Sequence, residues 1–164
     1  MSGLSLLLPN MDQIKFSYSS HLAPKNKYKL LYLAALNDMP DSPIIVKFVQ
    51  QYNVDAHCLL AAQGLALKLH YSSTGDNVHY GKQFMIVIDY INLKPPLGHL
   101  TEQQCKHVKD VIDIVHSNQL VFGDLRWPNI LVGNDTAMLI NFDWCRKSGI
   151  ARYPPEINRD PSMG

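Results

Sequence analysis

The 164 residues are 46% hydrophobic and 18% charged, with a net charge of +1. That length accommodates one domain with a real core and falls short of two ordinary ones, while the near-neutral balance supplies neither a basic face for nucleic acid nor a cationic face for a membrane surface. No stretch reaches the roughly 20 apolar residues of a membrane helix, and the three scattered cysteines, Cys58, Cys105 and Cys145, suit reduced thiols in an intracellular protein better than a disulfide framework.

Residues 4–8 are apolar but follow no Lys or Arg, so they lack the positive start of a signal peptide. Residues 14–19 form a candidate strand. Residues 27–36 and 44–49 are rich in β-branched and aromatic side chains and read as an antiparallel hairpin. Asn37-Asp38-Met39-Pro40-Asp41 supplies turn chemistry for a loop of about five to seven residues between them. A short helix is expected over residues 54–63, closed by Gly64 in the C′ position. Residues 84–91 read as a buried strand. Pro95-Pro96 and Gly98 then break the chain and divide it into subregions 1–91 and 92–164. Thr101 and Gln104 make a capping box, in which each side chain satisfies an orphan N–H of a first helical turn. Val108, Val111, Ile112 and Val115 give that helix one apolar face and carry it to about Asn118. His107 lies two residues after Cys105, but on a helix such a pair faces different ways. Two short strands follow, over residues 130–132 and 137–140, joined by Gly133-Asn134-Asp135. Residues 158–164 are polar and expected to be loose. The order of elements makes an α+β chain with a β-rich first half.

The strongest chemical signal is Gly123-Asp124-Leu125-Arg126-Trp127-Pro128-Asn129, placed between a helix and a hairpin. A single such motif is also compatible with a polar loop whose Asp caps a turn. Three further segments lie in a telling order around it: Ile44-Ile45-Val46-Lys47, Met85-Ile86-Val87-Ile88-Asp89-Tyr90-Ile91, and Leu139-Ile140-Asn141-Phe142-Asp143.

The Asp124 to Asn129 run resembles the catalytic loop of protein kinases, with Phe122 where that family has His and able to fill the same packing role. The Lys47 segment is similar to the third strand of a kinase N-lobe, and residues 85–91 resemble its last strand running into the hinge. The Asn141 segment sits where kinases carry Asp-Phe-Gly. The resemblance spans residues 27–156 and is drawn in particular to short kinase-like proteins of fungi. Arg152-Tyr153-Pro154-Pro155-Glu156 is similar to the Ala-Pro-Glu that ends an activation segment. The resemblance implies a protein-kinase-like α+β fold, with a β-rich N-lobe in residues 1–91 and a minimal helical C-lobe in residues 92–164. It further implies ATP and Mg²⁺ as cofactors, phosphoryl transfer to a protein hydroxyl, and a protein substrate or binding partner. Carried over position by position, Asp124 orients the acceptor hydroxyl and Lys47 holds phosphate. Asp55 stands near the family's glutamate partner of that lysine, or is a plain carboxylate favoured by the helix N-terminus. Asp89, Tyr90 and Ile91 read adenine, and Asn129 with Asn141 or Asp143 holds the metal.

Several departures bear on activity. Asn141 replaces a carboxylate that ligates magnesium. A charge pair at about 4 Å with an effective dielectric of about 20 is worth about 4 kcal/mol, or a rate loss on the order of a thousandfold. Asp143 faces the same way as Asn141 if the strand continues, but starts about 6.6 Å away. No glycine occurs between Gly3 and Gly64, so any phosphate-covering loop near residues 19–27 relies on side chains such as Lys25 and Lys27. Eight residues follow Glu156, which implies a shortened C-lobe. Together these departures imply slow transfer, or a pseudokinase-type binding module without catalysis.

Overall fold

A computed structural model describes residues 14–26 and 30–150. The tail at 158–164, the Arg152 to Glu156 segment and Lys27 lie outside those residues. The chain divides into two compact units, the first holding residues up to 54 together with 67–92, the second holding 55–66 and everything from 93 onward. The short helical segment is counted with the second unit.

The first unit is an antiparallel five-stranded sheet: β1 (Phe16–His21), β2 (Leu31–Leu36), β3 (Met39–Val49), β4 (Leu69–Ser72) and β5 (Phe84–Asp89). Its strand order is β1-β2-β3-β5-β4. Because side chains alternate between faces, Ala34 of β2, Ile44 and Val46 of β3 and Met85 and Val87 of β5 meet with Tyr71 on one face as a buried cluster. Ile14, Phe16, Leu36 and Phe48 pack against it. Full burial of each of these larger side chains contributes roughly 1.5–3 kcal/mol. The register Val46↔Val87 and Lys47↔Ile86 sets Lys47 on the face opposite Val46. The loop expected at residues 37–41 is shorter than the sequence suggests. β2 and β3 are separated by Asn37 and Asp38 alone, and the extra residues are absorbed in a register shift at Ala35/Leu36. Pro43 is tolerated in β3 because pairing with β5 begins only at Ile44↔Asp89, so no ladder bond needs its missing N–H.

The second unit contains α1, which begins at Val54 and runs to Ala61, α2 (Glu102–Ser117), and four three-residue strands. These are β6 (Leu120–Phe122), β7 (Ile130–Val132), β8 (Ala137–Leu139) and β9 (Cys145–Lys147), with β6 paired to β9 and β7 to β8. α1 ends as Gly64 predicts. Gly64 has φ +70°, its N–H donates to Ala61 O at 3.1 Å and Leu65 N–H donates to Leu60 O at 3.0 Å, the paired bonds of a Schellman close. The capping box of α2 forms: Thr101 Oγ1 accepts from Gln104 N–H at 3.2 Å and Gln104 Oε1 accepts from Thr101 N–H at 2.9 Å. Gln104 then uses its amide N–H on Gly133 O at 2.7 Å, tying the helix start to the β7–β8 turn. Val111 and Val115 are its buried stripe. A Cβ at Gly133 would meet Thr136 Oγ1 at 2.7 Å, so a larger residue at that turn requires the Thr136 side chain to move. Among the described residues no helix is long and apolar enough to cross a membrane.

Candidate active-site residues in two units

The loop after β6 is built by local rules. Gly123 N–H donates to Trp144 O at 3.1 Å, which anchors the loop's entry beside β9. Pro128 fixes φ inside a single 3₁₀ turn over Trp127–Asn129, and Asn129 N–H donates back to Arg126 O at 2.9 Å. That turn brings Asn129 under Asp124. Both are buried, at 2% and 5% exposure.

Their side chains form a polar chain of fixed direction. Asn129 Nδ2 donates to Asp124 O at 2.8 Å and to Asp124 Oδ2 at 2.7 Å. Both of those oxygens can only accept, so Asn129 must turn its NH₂ group toward Asp124 and its Oδ1 away. Oδ1 then accepts from Asn141 Nδ2 at 2.6 Å. On the other side Arg126 Nη2 donates to Asp124 Oδ2 at 3.2 Å, and Arg126 Nε lies 2.7 Å from Oδ1. This last contact is an ion pair without hydrogen-bond alignment, because Oδ1 and Nε are both buried atoms lacking a hydrogen-bond partner.

Asn141 does not continue the strand. β8 ends at Leu139, Asn141 has φ +66° and ψ +71°, a left-handed conformation that Asn adopts more readily than most residues. A 3₁₀ turn over Phe142–Trp144 follows. The strand geometry expected to align Asp143 with Asn141 is therefore absent, and half-buried Asp143 sits in the turn instead. Phe142 is fully buried, stacked on His57 of α1 at 4.7 Å and 10°, and edge-on to Phe122 at 5.6 Å and 89°. Phe122 thus takes the packing role its position suggested. His57 was not legible as a partner, since one histidine in a short helix carries no spacing signal.

The first unit holds the remaining candidates. Lys47 is buried, with Nζ 4.6 Å above the Tyr52 ring, a cation–π contact that the sequence did not suggest. Asp89 Oδ1 pairs with His70 Nε2 at 2.5 Å. Asp89 N–H donates to Lys68 O and Tyr90 N–H to Pro43 O. Two of the three backbone donors expected to read adenine are therefore already committed, which leaves that of Ile91. Asp55 lies exposed in the first turn of α1.

The residues proposed for Mg²⁺ do not suit it as arranged. Magnesium demands oxygen donors, usually one or two carboxylates, in near-octahedral order. Here the oxygen of Asn129 already accepts from Asn141, which turns its NH₂ group and not an oxygen toward the site, and no cluster of three or more His, Cys, Asp or Glu able to hold a metal occurs among the described residues.

The structure of the PK-1 kinase of Cydia pomonella granulovirus superposes on this chain with a TM-score of 0.64 at 16% identity, over 82% of this chain. The fold is protein-kinase-like. The chain spans 56% of the length of that viral kinase. No known family's sequence profile matches the chain, and no curated protein does. A kinase-like fold accounts for the β-rich first unit, the single long helix α2 and the Asp124 loop between helix and hairpin.

Proposed function

We propose that the chain is a kinase-like nucleotide-binding domain that takes ATP and transfers its γ-phosphoryl group slowly to a protein hydroxyl. The observation that carries this reading is the Asp124 carboxylate. It is buried in the loop position and spacing of a kinase base, held on Oδ2 by Asn129, while Oδ1 has an ion-pair neighbour but no hydrogen bond. An ionised carboxylate has about four lone-pair sites, so a hydroxyl has a place to donate once the Arg126 side chain, 37% exposed, swings aside. In this reading Oδ1 orients that hydroxyl and takes its proton, Lys47 holds phosphate, and the segment Asp89 to Ile91 meets adenine through the Ile91 N–H.

A second reading, a binding module without catalysis, draws on the amide of Asn141 at the position of a metal carboxylate. Transfer of labelled phosphate from ATP to a panel of protein substrates separates the two. In the first reading Asp124→Asn abolishes transfer and leaves ATP affinity nearly unchanged, the pattern of an interaction made only in the transition state. Turnover that survives Asp124→Asn refutes the base assignment. No turnover in wild type, with ATP bound, leaves the binding module.

A further inference from the structure

We propose that the side-chain amide of Asn141 takes the place of a divalent cation beside Asn129, so that this loop is held together without metal. The inference rests on the kinase-like reading of the loop. The hydrogen bonds of the loop run in one direction. Asp124 offers only acceptors to Asn129, Asn129 therefore presents Oδ1 outward, and whatever faces Oδ1 must be a donor or a cation. In this chain it is Asn141 Nδ2, at 2.6 Å. The left-handed backbone at Asn141 starts the turn that carries Phe142 into its stack on His57. The donor is thus set by a packed neighbour and not by a loose loop. The guanidinium of Arg126 against Asp124 likewise supplies positive charge to the loop's carboxylate from the chain itself.

The substitution that undoes this device is Asn141→Asp. A carboxylate at that place points an acceptor at the Asn129 oxygen, and two acceptors in contact require a cation between them. The variant is therefore metal-dependent where the parent is not.

Thermal melting of the full chain in EDTA and in millimolar MgCl₂, without nucleotide, tests this. Wild type melts at the same temperature in both buffers. Asn141→Asp melts about 5 °C lower in EDTA, the scale set by one unsatisfied buried acceptor in a chain of this size, and recovers in MgCl₂. Asn141→Gly, which keeps the left-handed backbone and loses the donor, melts lower in both buffers. If Asn141→Asp is unfolded in EDTA, refolding on adding MgCl₂ supports the proposal, and failure to refold while Asn141→Gly is folded counts against it. A wild type stabilised by MgCl₂ as strongly as the Asp variant overturns the proposal, as does an Asp variant no weaker than wild type in EDTA. Nucleotide titration is read separately: a wild type that binds no ATP refutes the functional reading without touching this result.

Discussion

Replacing Asp124 by Asn removes one charge and exchanges one oxygen for NH₂ while keeping the shape. The amide oxygen takes the Oδ2 place, where Asn129 Nδ2 at 2.7 Å and Arg126 Nη2 at 3.2 Å still donate to it. The new NH₂ then faces Arg126 Nε across the former 2.7 Å contact, donor against donor. The Asn129 bond loses its charge assistance, falling from roughly 1.5–3 kcal/mol to roughly 0.5–1.5 kcal/mol, and the Arg126 bond keeps only the guanidinium's charge. The half-open Arg126 side chain recovers part of that loss in water, since exposed pairs are worth little. The expected cost is about 2 kcal/mol, or a fall in melting temperature of about 4–8 °C. A double-mutant cycle with Arg126→Gln should return a coupling of about 1 kcal/mol, as for residues in one network. A loss below about 0.5 kcal/mol, or the same loss in the Arg126→Gln background, would refute the loop network.

Gln104→Ala should cost about 1–2 kcal/mol by chemical denaturation, because it removes the back-bond to Thr101 and the tie to Gly133 O. The thiols should label in the order of exposure near pH 8, with Cys105 first, half-buried Cys58 later and Cys145 only on unfolding. Burial and the neighbouring Asp55 raise the Cys58 thiol. Burial pushes Cys145 from 9.0 up to about 11, against the smaller opposite pull of Arg146. Because the folded value is the higher one, the neutral thiol's contribution to stability is complete below about pH 9. It is lost as pH rises through about 11. Cys145→Ala should therefore flatten the alkaline loss of stability seen by denaturant titration between those values.

The legible parts of the chain were those whose signals are local. The capping box at Thr101 and Gln104, the Schellman glycine at 64 and the strands around Val46 and Val87 each follow from spacing over a few residues, and each formed. The three-residue strands β6 and β9 escaped notice because they are too short to show alternation, and each is stable only through its partner. The Asn37 loop was overestimated because Pro40 and Asp41 carry turn chemistry while the pairing of β2 with β3 holds them in a register shift. At the site, the spacing of Asp124 and Asn129 predicted that they belong together. The direction of their hydrogen bonds, the left-handed turn at Asn141 and the stack of His57 on Phe142 join residues distant in sequence. No periodicity announces such contacts. The continuation of β8 through Asp143 failed for a related reason: an apolar run ending in Asn gives no notice that Asn will take φ +66°.

Isothermal titration of ATP into the wild-type chain, in MgCl₂ and again in EDTA, decides whether the chain binds nucleotide without metal. A nucleotide site with an amide in place of the metal carboxylate should give binding in both buffers with dissociation constants within about threefold, and about tenfold weaker binding for Lys47→Met, a difference of about 1.4 kcal/mol. Absence of binding in both buffers, or binding seen in MgCl₂ alone, would contradict it.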